Sequence, residues 1–134
     1  MKPVDMLVQH DPPDAIGDCF RAVIASLMEL PADEVPHFGK YDWGEDGSRG
    51  RQLVRDWLAP RGLYYIDFNF KAEHLVNWEE AFSCHHLMSG LSERGTRHAC
   101  VGYGGKVVHD PHPSRTGIKP DEDGEYLVGL IVKL

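Results

Sequence analysis

Cysteine is scarce in this chain, with three residues in 134: Cys19, Cys84 and Cys100. So small and odd a number excludes the disulfide framework of small secreted domains, and reads as reduced thiols in a cytosolic protein. No apolar run approaches the roughly eighteen residues that cross a bilayer, and MKPVDMLVQHDPPD lacks the apolar region of a secretory signal. A membrane partner is therefore not expected. Positive charge is also short. Fourteen Lys and Arg against 21 Asp and Glu leave a net charge of −7, the wrong sign for a nucleic-acid binder. There is no CxxC pair, no internal repeat and no low-complexity tract. What remains has the 42% hydrophobic content of an ordinary globular protein, and the length fits one domain over residues 1–134.

Residues 1–15 read as extended or looped, because Pro12-Pro13 interrupts regular structure. Asp18 is a good N-cap for a helix from about Cys19 to Leu30, with Phe20, Val23, Ile24, Leu27 and Met28 at helical spacing on one apolar face. Pro31 ends that run, and a short turn follows at Ala32–Val35. A second helix is predicted from about Arg49 to Leu58, with Leu53, Val54, Trp57 and Leu58 facing inward. LYYIDFNF, residues 63–70, has the aromatic and β-branched content of a strand, and residues 72–82 suit a short helix. Strands are then predicted near 84–89, 98–103, 106–110 and 126–132, with Gly104-Gly105 turning a hairpin. Helices first and an antiparallel sheet afterwards make an α+β fold.

The candidate chemistry begins at Cys19. A helix start stabilises negative charge and lowers the pKa of a thiol, and the thiolate is the reactive form. Such a nucleophile needs a base, and the base needs an acceptor that fixes its tautomer. RHACVGYGGKVVHDP offers His98 and Asp110. Residues directly opposite on paired strands share a face, so the hairpin register matters. A plain two-residue loop pairs Ala99 with Asp110 and sends Asp110 away from His98, gathering His98, Cys100 and His109 on one face as a possible metal cluster. A three-residue loop, or an equivalent bulge, pairs His98 with Asp110 instead. One residue of slip separates a hydrolase from a metal site.

A Cys opening a helix, then a His on a strand and an Asp on the next, resembles the papain-like cysteine peptidases. The nearest likeness is to the bacteriocin-processing (double-glycine leader) peptidases, carried here by Gln9, Cys19 in GDCFRAVIASL, His98 in RHACV and Asp110-Pro111 in HDPHP. The wider pattern, including DWLAPRGL, is similar to small uncharacterised proteins of phages and bacteria. GDCFRA also resembles the Cys box of ovarian-tumour-type deubiquitinases. That likeness ranks second, because their His box lies near the C-terminus and commonly lacks the following Asp-Pro. The resemblance implies a papain-like fold with a helix packed on an antiparallel sheet. It implies Cys19 as nucleophile, His98 as general base and acid, and Asp110 as the orienting acceptor. The oxyanion hole would be the backbone N–H of Cys19 with the side-chain amide of Gln9. A peptide or protein is the expected substrate, and no cofactor is expected.

Blander readings stand beside these. Most helical cysteines are small buried hydrophobes, and Cys100, mid-strand, is read that way. Cys84, His85 and His86 lack the spacing to put three ligands around one zinc, so no metal site is expected. His109 and His112 are read as neighbours of the site or as surface residues. His37 and His74 are taken as surface or core residues, and Trp43, Trp57 and Trp78 as core anchors. Two alternatives to a hydrolase remain: a catalytically inactive papain-like binding module, and an acyltransferase or transglutaminase-like enzyme with the same three residues.

Overall fold

The computed structural model describes residues 1–74 and 82–134. Helix α1 spans Cys19–Met28, and its first intrahelical bond runs from Ala22 N to Asp18 O at 3.0 Å. It stops two residues short of the sequence-based boundary, because Glu29 turns left-handed (φ 58°) and Leu30 N–H returns to Ala25 O at 2.9 Å. Ala22 through Ser26 are all buried. The apolar side packs on the sheet, and the chain's own N-terminus covers another flank. There Lys2 N–H bonds Ser26 O at 3.0 Å and Val4 N–H bonds Ser26 Oγ at 2.9 Å.

Helix α2 spans Ser48–Leu58 and buries Gly50, Val54 and Leu58. Leu53, expected to face inward, is 38% exposed. The inner face instead holds Trp43, whose indole lies against the helix at Gly50, where a Cβ would fall 1.7 Å from the ring. The Trp43 Nε1–H donates to Phe38 O at 2.9 Å, and the ring meets Phe20 edge-on. An aromatic ring seated on a glycine is thus part of the packing on that face.

Five strands form one antiparallel sheet in the order β1-β5-β2-β3-β4: β1 Leu63–Lys71, β2 His85–Leu91, β3 Arg97–Tyr103, β4 Lys106–His109 and β5 Glu125–Lys133. The last strand of the chain is therefore inserted between β1 and β2. A 3₁₀ turn at Ala72–His74 starts where a helix over 72–82 was expected; residues 75–81, with Trp78, lie outside the described residues. Helix α1 lies against β3 and β2, and α2 against β1. Val23, Ile24, Val54, Leu58, Tyr65, Leu87 and Val101 meet in one core, each large aliphatic side chain contributing about 2 kcal/mol by burial. Gly129 of β5 passes under Tyr65, whose hydroxyl oxygen would lie 2.6 Å from a Cβ there. No helix among the described residues is long and apolar enough to cross a membrane.

The β3–β4 hairpin positions the site. Tyr103 pairs with Lys106, so the loop is the two residues Gly104 and Gly105, both with positive φ (58° and 80°), as a tight hairpin turn requires. Gly102 then pairs with Val107, but Val101 pairs with His109, leaving Val108 unpaired in a bulge. The turn is thus the two-residue type and not a three-residue loop, and the parity change comes instead from the bulge at Val108, two residues before Asp110.

Candidate active site

His98 lies near the start of β3, and Asp110 immediately follows β4. Skipping Val108 brings Asp110 onto the His98 face. His98 Nε2 lies 2.6 Å from Asp110 Oδ1, and the two side chains are 4% and 3% exposed. Asp110 also accepts the backbone N–H of His112 on Oδ1 at 2.9 Å and that of Gly117 on Oδ2 at 2.8 Å. Burial alone would raise this carboxyl. The bonds from His98, His112 and Gly117 outweigh it and hold the group below the ordinary carboxylate value. The carboxylate therefore keeps its charge and a fixed orientation.

The far side of the bulge is tied down as well. His109 donates from Nε2 to Val4 O at 3.0 Å. Arg115 bonds the backbone oxygen of Asp110 and grips both carboxylate oxygens of Asp5, at 2.6 and 2.8 Å. Met6 N–H reaches Pro111 O at 3.1 Å. The N-terminal segment is thereby strapped along the residues that carry Asp110.

Cys19 is the first residue of α1 and is partly exposed. Burial is the largest influence on its thiol and raises it; the backbone of Ala99, next to His98 in β3, and that of Phe20 act the other way, and the charges of Asp18 and Asp110 add to the upward push. A helix start predicts a lowered thiol. In the folded chain the thiol is raised, so the resting form of Cys19 is the protonated one.

Asp18 occupies the N-cap position, as expected, but its side chain makes no capping bond. It is fully buried and accepts the N–H groups of Leu7 at 3.2 Å and Val8 at 2.9 Å. Arg21 neutralises it through two bonds of 2.9 and 2.7 Å. Residues 8–18 are thus closed into a loop, with Asp11 and Ala15 exchanging 2.9 Å backbone bonds inside it. His10 Nδ1 accepts Gly17 N–H at 3.0 Å, and a Cβ on Gly17 would stand 2.8 Å from that of His10. This loop carries Gln9 to the rim of a cleft of ≈ 580 Å³ that Gln9, Cys19 and His98 line together. Asp110 stands behind His98, outside the lining. The Cys19 N–H, at the first helical position, precedes the first intrahelical bond and is free of the helix ladder.

The ligand atoms of His98, Cys100 and Asp110 all lie within 4.8 Å of one another, so these are the residues that could share an ion here. The bulge has replaced His109 in that set by Asp110. Burial first, and the neighbouring Asp110 carboxylate after it, push the Cys100 thiol well up. His86, one of the Cys84-His85-His86 run, is committed elsewhere. Its Nε2 accepts Gly105 N–H at 3.0 Å, so Nδ1 carries the proton and donates to Leu87 O at 3.1 Å. Gly102 leaves room for that ring, since a Cβ there would be 2.5 Å from Cε1. His37 is tied to Ile16 O at 2.9 Å.

The chain matches no protein-family model, no curated protein and no solved structure.

Proposed function

We propose that this chain is a papain-like cysteine hydrolase that cleaves a peptide or isopeptide bond through a thioester on Cys19. The observation that carries the reading is the buried 2.6 Å bond that Asp110 accepts from His98, which lines the same cleft as Cys19 at a helix start. Because Nε2–H of His98 donates to Asp110, the lone pair resides on Nδ1, which is the general base. As the sulfur attacks the carbonyl carbon, Nδ1 takes the thiol proton. The negative oxygen that forms is met by the Cys19 N–H and the Gln9 amide. Collapse of this intermediate breaks the C–N bond, and the imidazolium returns its proton to the departing amine. Water, deprotonated by the same nitrogen, then hydrolyses the thioester and regenerates the thiol. An amine in place of water would make the reaction an acyl transfer.

A raised resting thiol fits this sequence. The proton leaves Cys19 when substrate arrives, so the reaction depends on His98 rather than on a standing thiolate. p-Nitrophenyl acetate tests the acyl step. A rapid release of p-nitrophenolate with acetylation of Cys19 is expected, lost in Cys19→Ala and slowed about 100-fold or more in His98→Ala. Unchanged release in Cys19→Ala would remove the nucleophile and favour an inactive binding module.

A further inference from the structure

The two walls of the cleft differ in charge. On the loop side the acidic lining residue is Asp11; on the β2–β3 side stand Arg94 and Arg97, beside His98 and His112. Two guanidinium groups at one cleft wall run against a chain whose net charge is −7. Arg94 has no carboxylate partner among the described residues. Its Nη1 reaches only His112 Nδ1 at 3.4 Å and Ser114 Oγ at 3.2 Å. His112 in turn meets the His98 ring edge-on, with centroids 6.0 Å apart. Ser114 N–H also points at His112 Nδ1, at 3.0 Å. That nitrogen is therefore an acceptor, and burial first, then Arg94 and His98, lower the pKa of His112. The standing cation beside the reacting centre is Arg94. Arg97 is half-exposed and meets Asp121 at 3.3 Å through Nη1, with its other donors left for a second partner.

We propose that Arg94 and Arg97 select an acyl substrate that carries a carboxylate beside the bond attacked. This rests on Cys19 being the nucleophile of the cleft. A planar guanidinium presents paired donors that match a carboxylate in geometry as well as charge. An open cleft lined by one sign of charge also concentrates the opposite sign before contact. The carboxylate could belong to an acidic side chain or to a chain terminus, and both satisfy the same donors.

Bromoacetyl peptides separate these cases, because the Cys19 sulfur displaces bromide and forms a stable thioether that peptide mapping locates. One pair is bromoacetyl-Ala-Asp-amide and bromoacetyl-Ala-Asn-amide; the other is bromoacetyl-Ala-Ala as free acid and as amide. Each acid-to-neutral rate ratio at Cys19 is divided by the same ratio for N-acetylcysteine. At least one corrected ratio should be about fivefold or more, and the larger one names the source of the carboxylate. The preference should shrink as salt is raised and fall towards unity in the Arg94→Gln/Arg97→Gln double variant. Cys19 labelling in which both corrected ratios are unity would overturn the carboxylate preference and leave the nucleophile standing. A Cys19 that no member labels ahead of Cys84 would instead remove the reading beneath it.

Discussion

His98 and Asp110 are twelve residues apart along a hairpin, yet they meet at 2.6 Å because one residue, Val108, is left out of the pairing between them. The same carboxylate takes the N–H groups of His112 and Gly117, so it anchors the ring and the chain that follows. Asp110→Ala should leave those donors and the buried Nε2–H without a partner, at about 2 kcal/mol or more in urea unfolding. Asp110→Asn retains an acceptor for His98 and should keep the fold and part of the p-nitrophenyl acetate rate. Equal loss of rate in both variants would mean that Asp110 does not orient His98.

The bulge makes a sharper claim. Deleting Val108 leaves Gly102 opposite Val107 and Val101 opposite His109, so Asp110 stays on the His98 face. Inserting one glycine between His109 and Asp110 moves Asp110 to the other face, since side chains alternate along a strand. The deletion should retain acylation of Cys19 to within about tenfold. The insertion should reduce it about as far as Asp110→Ala does. If the deletion is the more damaging of the two, the parity account is wrong.

Burial holds His86 below its ordinary value of 6.5. The folded state therefore binds fewer protons than the unfolded chain as pH falls through about 6.5. The stability this neutral ring contributes is fully present above that pH and declines below it, until the folded ring itself titrates. Asp110 acts in a lower window. Its depressed carboxyl contributes above roughly pH 4, and that contribution is lost as pH falls through its folded value. Melting temperature should fall between pH 7.5 and 5, and His86→Gln should reduce that dependence while lowering stability at every pH. An unchanged pH dependence in His86→Gln would assign it to another group.

Much of the architecture was legible because its signals are local. Val23 and Ile24 sit at helical spacing, LYYIDFNF is dense in strand formers, and Gly104-Gly105 is a turn in itself. The pairing of His98 with Asp110 was legible as a choice between two registers. The choice was not, because Val107-Val108 is as regular a β-branched pair as any strand offers, and nothing in it marks a bulge. Asp18 was misread in role for a related reason. A carboxylate before a helix looks like a cap, whereas here it reaches back to Leu7 and Val8. The Asp5–Arg115 clasp joins residues 110 positions apart, and no local pattern announces it. The raised thiol of Cys19 is a consequence of burial, which the helix-start position could not convey. Trp43 packs on α2 through a contact that depends on Gly50 having no side chain, and Leu53, at helical spacing with the buried positions, stays outside.

Alkylation by iodoacetamide at neutral pH, mapped to each cysteine, tests the central claim most directly. Cys84 is exposed, Cys19 partly exposed and Cys100 buried, so accessibility alone ranks Cys84 first. Cys19 rests protonated, so what can reverse that order is His98 taking the thiol proton as the sulfur attacks. Cys19 should react about tenfold or more faster than Cys84, and His98→Ala should bring its rate down to or below that of Cys84, with Cys100 unlabelled until the chain unfolds. A native protein in which Cys84 reacts first, or in which Cys19 reacts at the same rate with and without His98, would contradict the account.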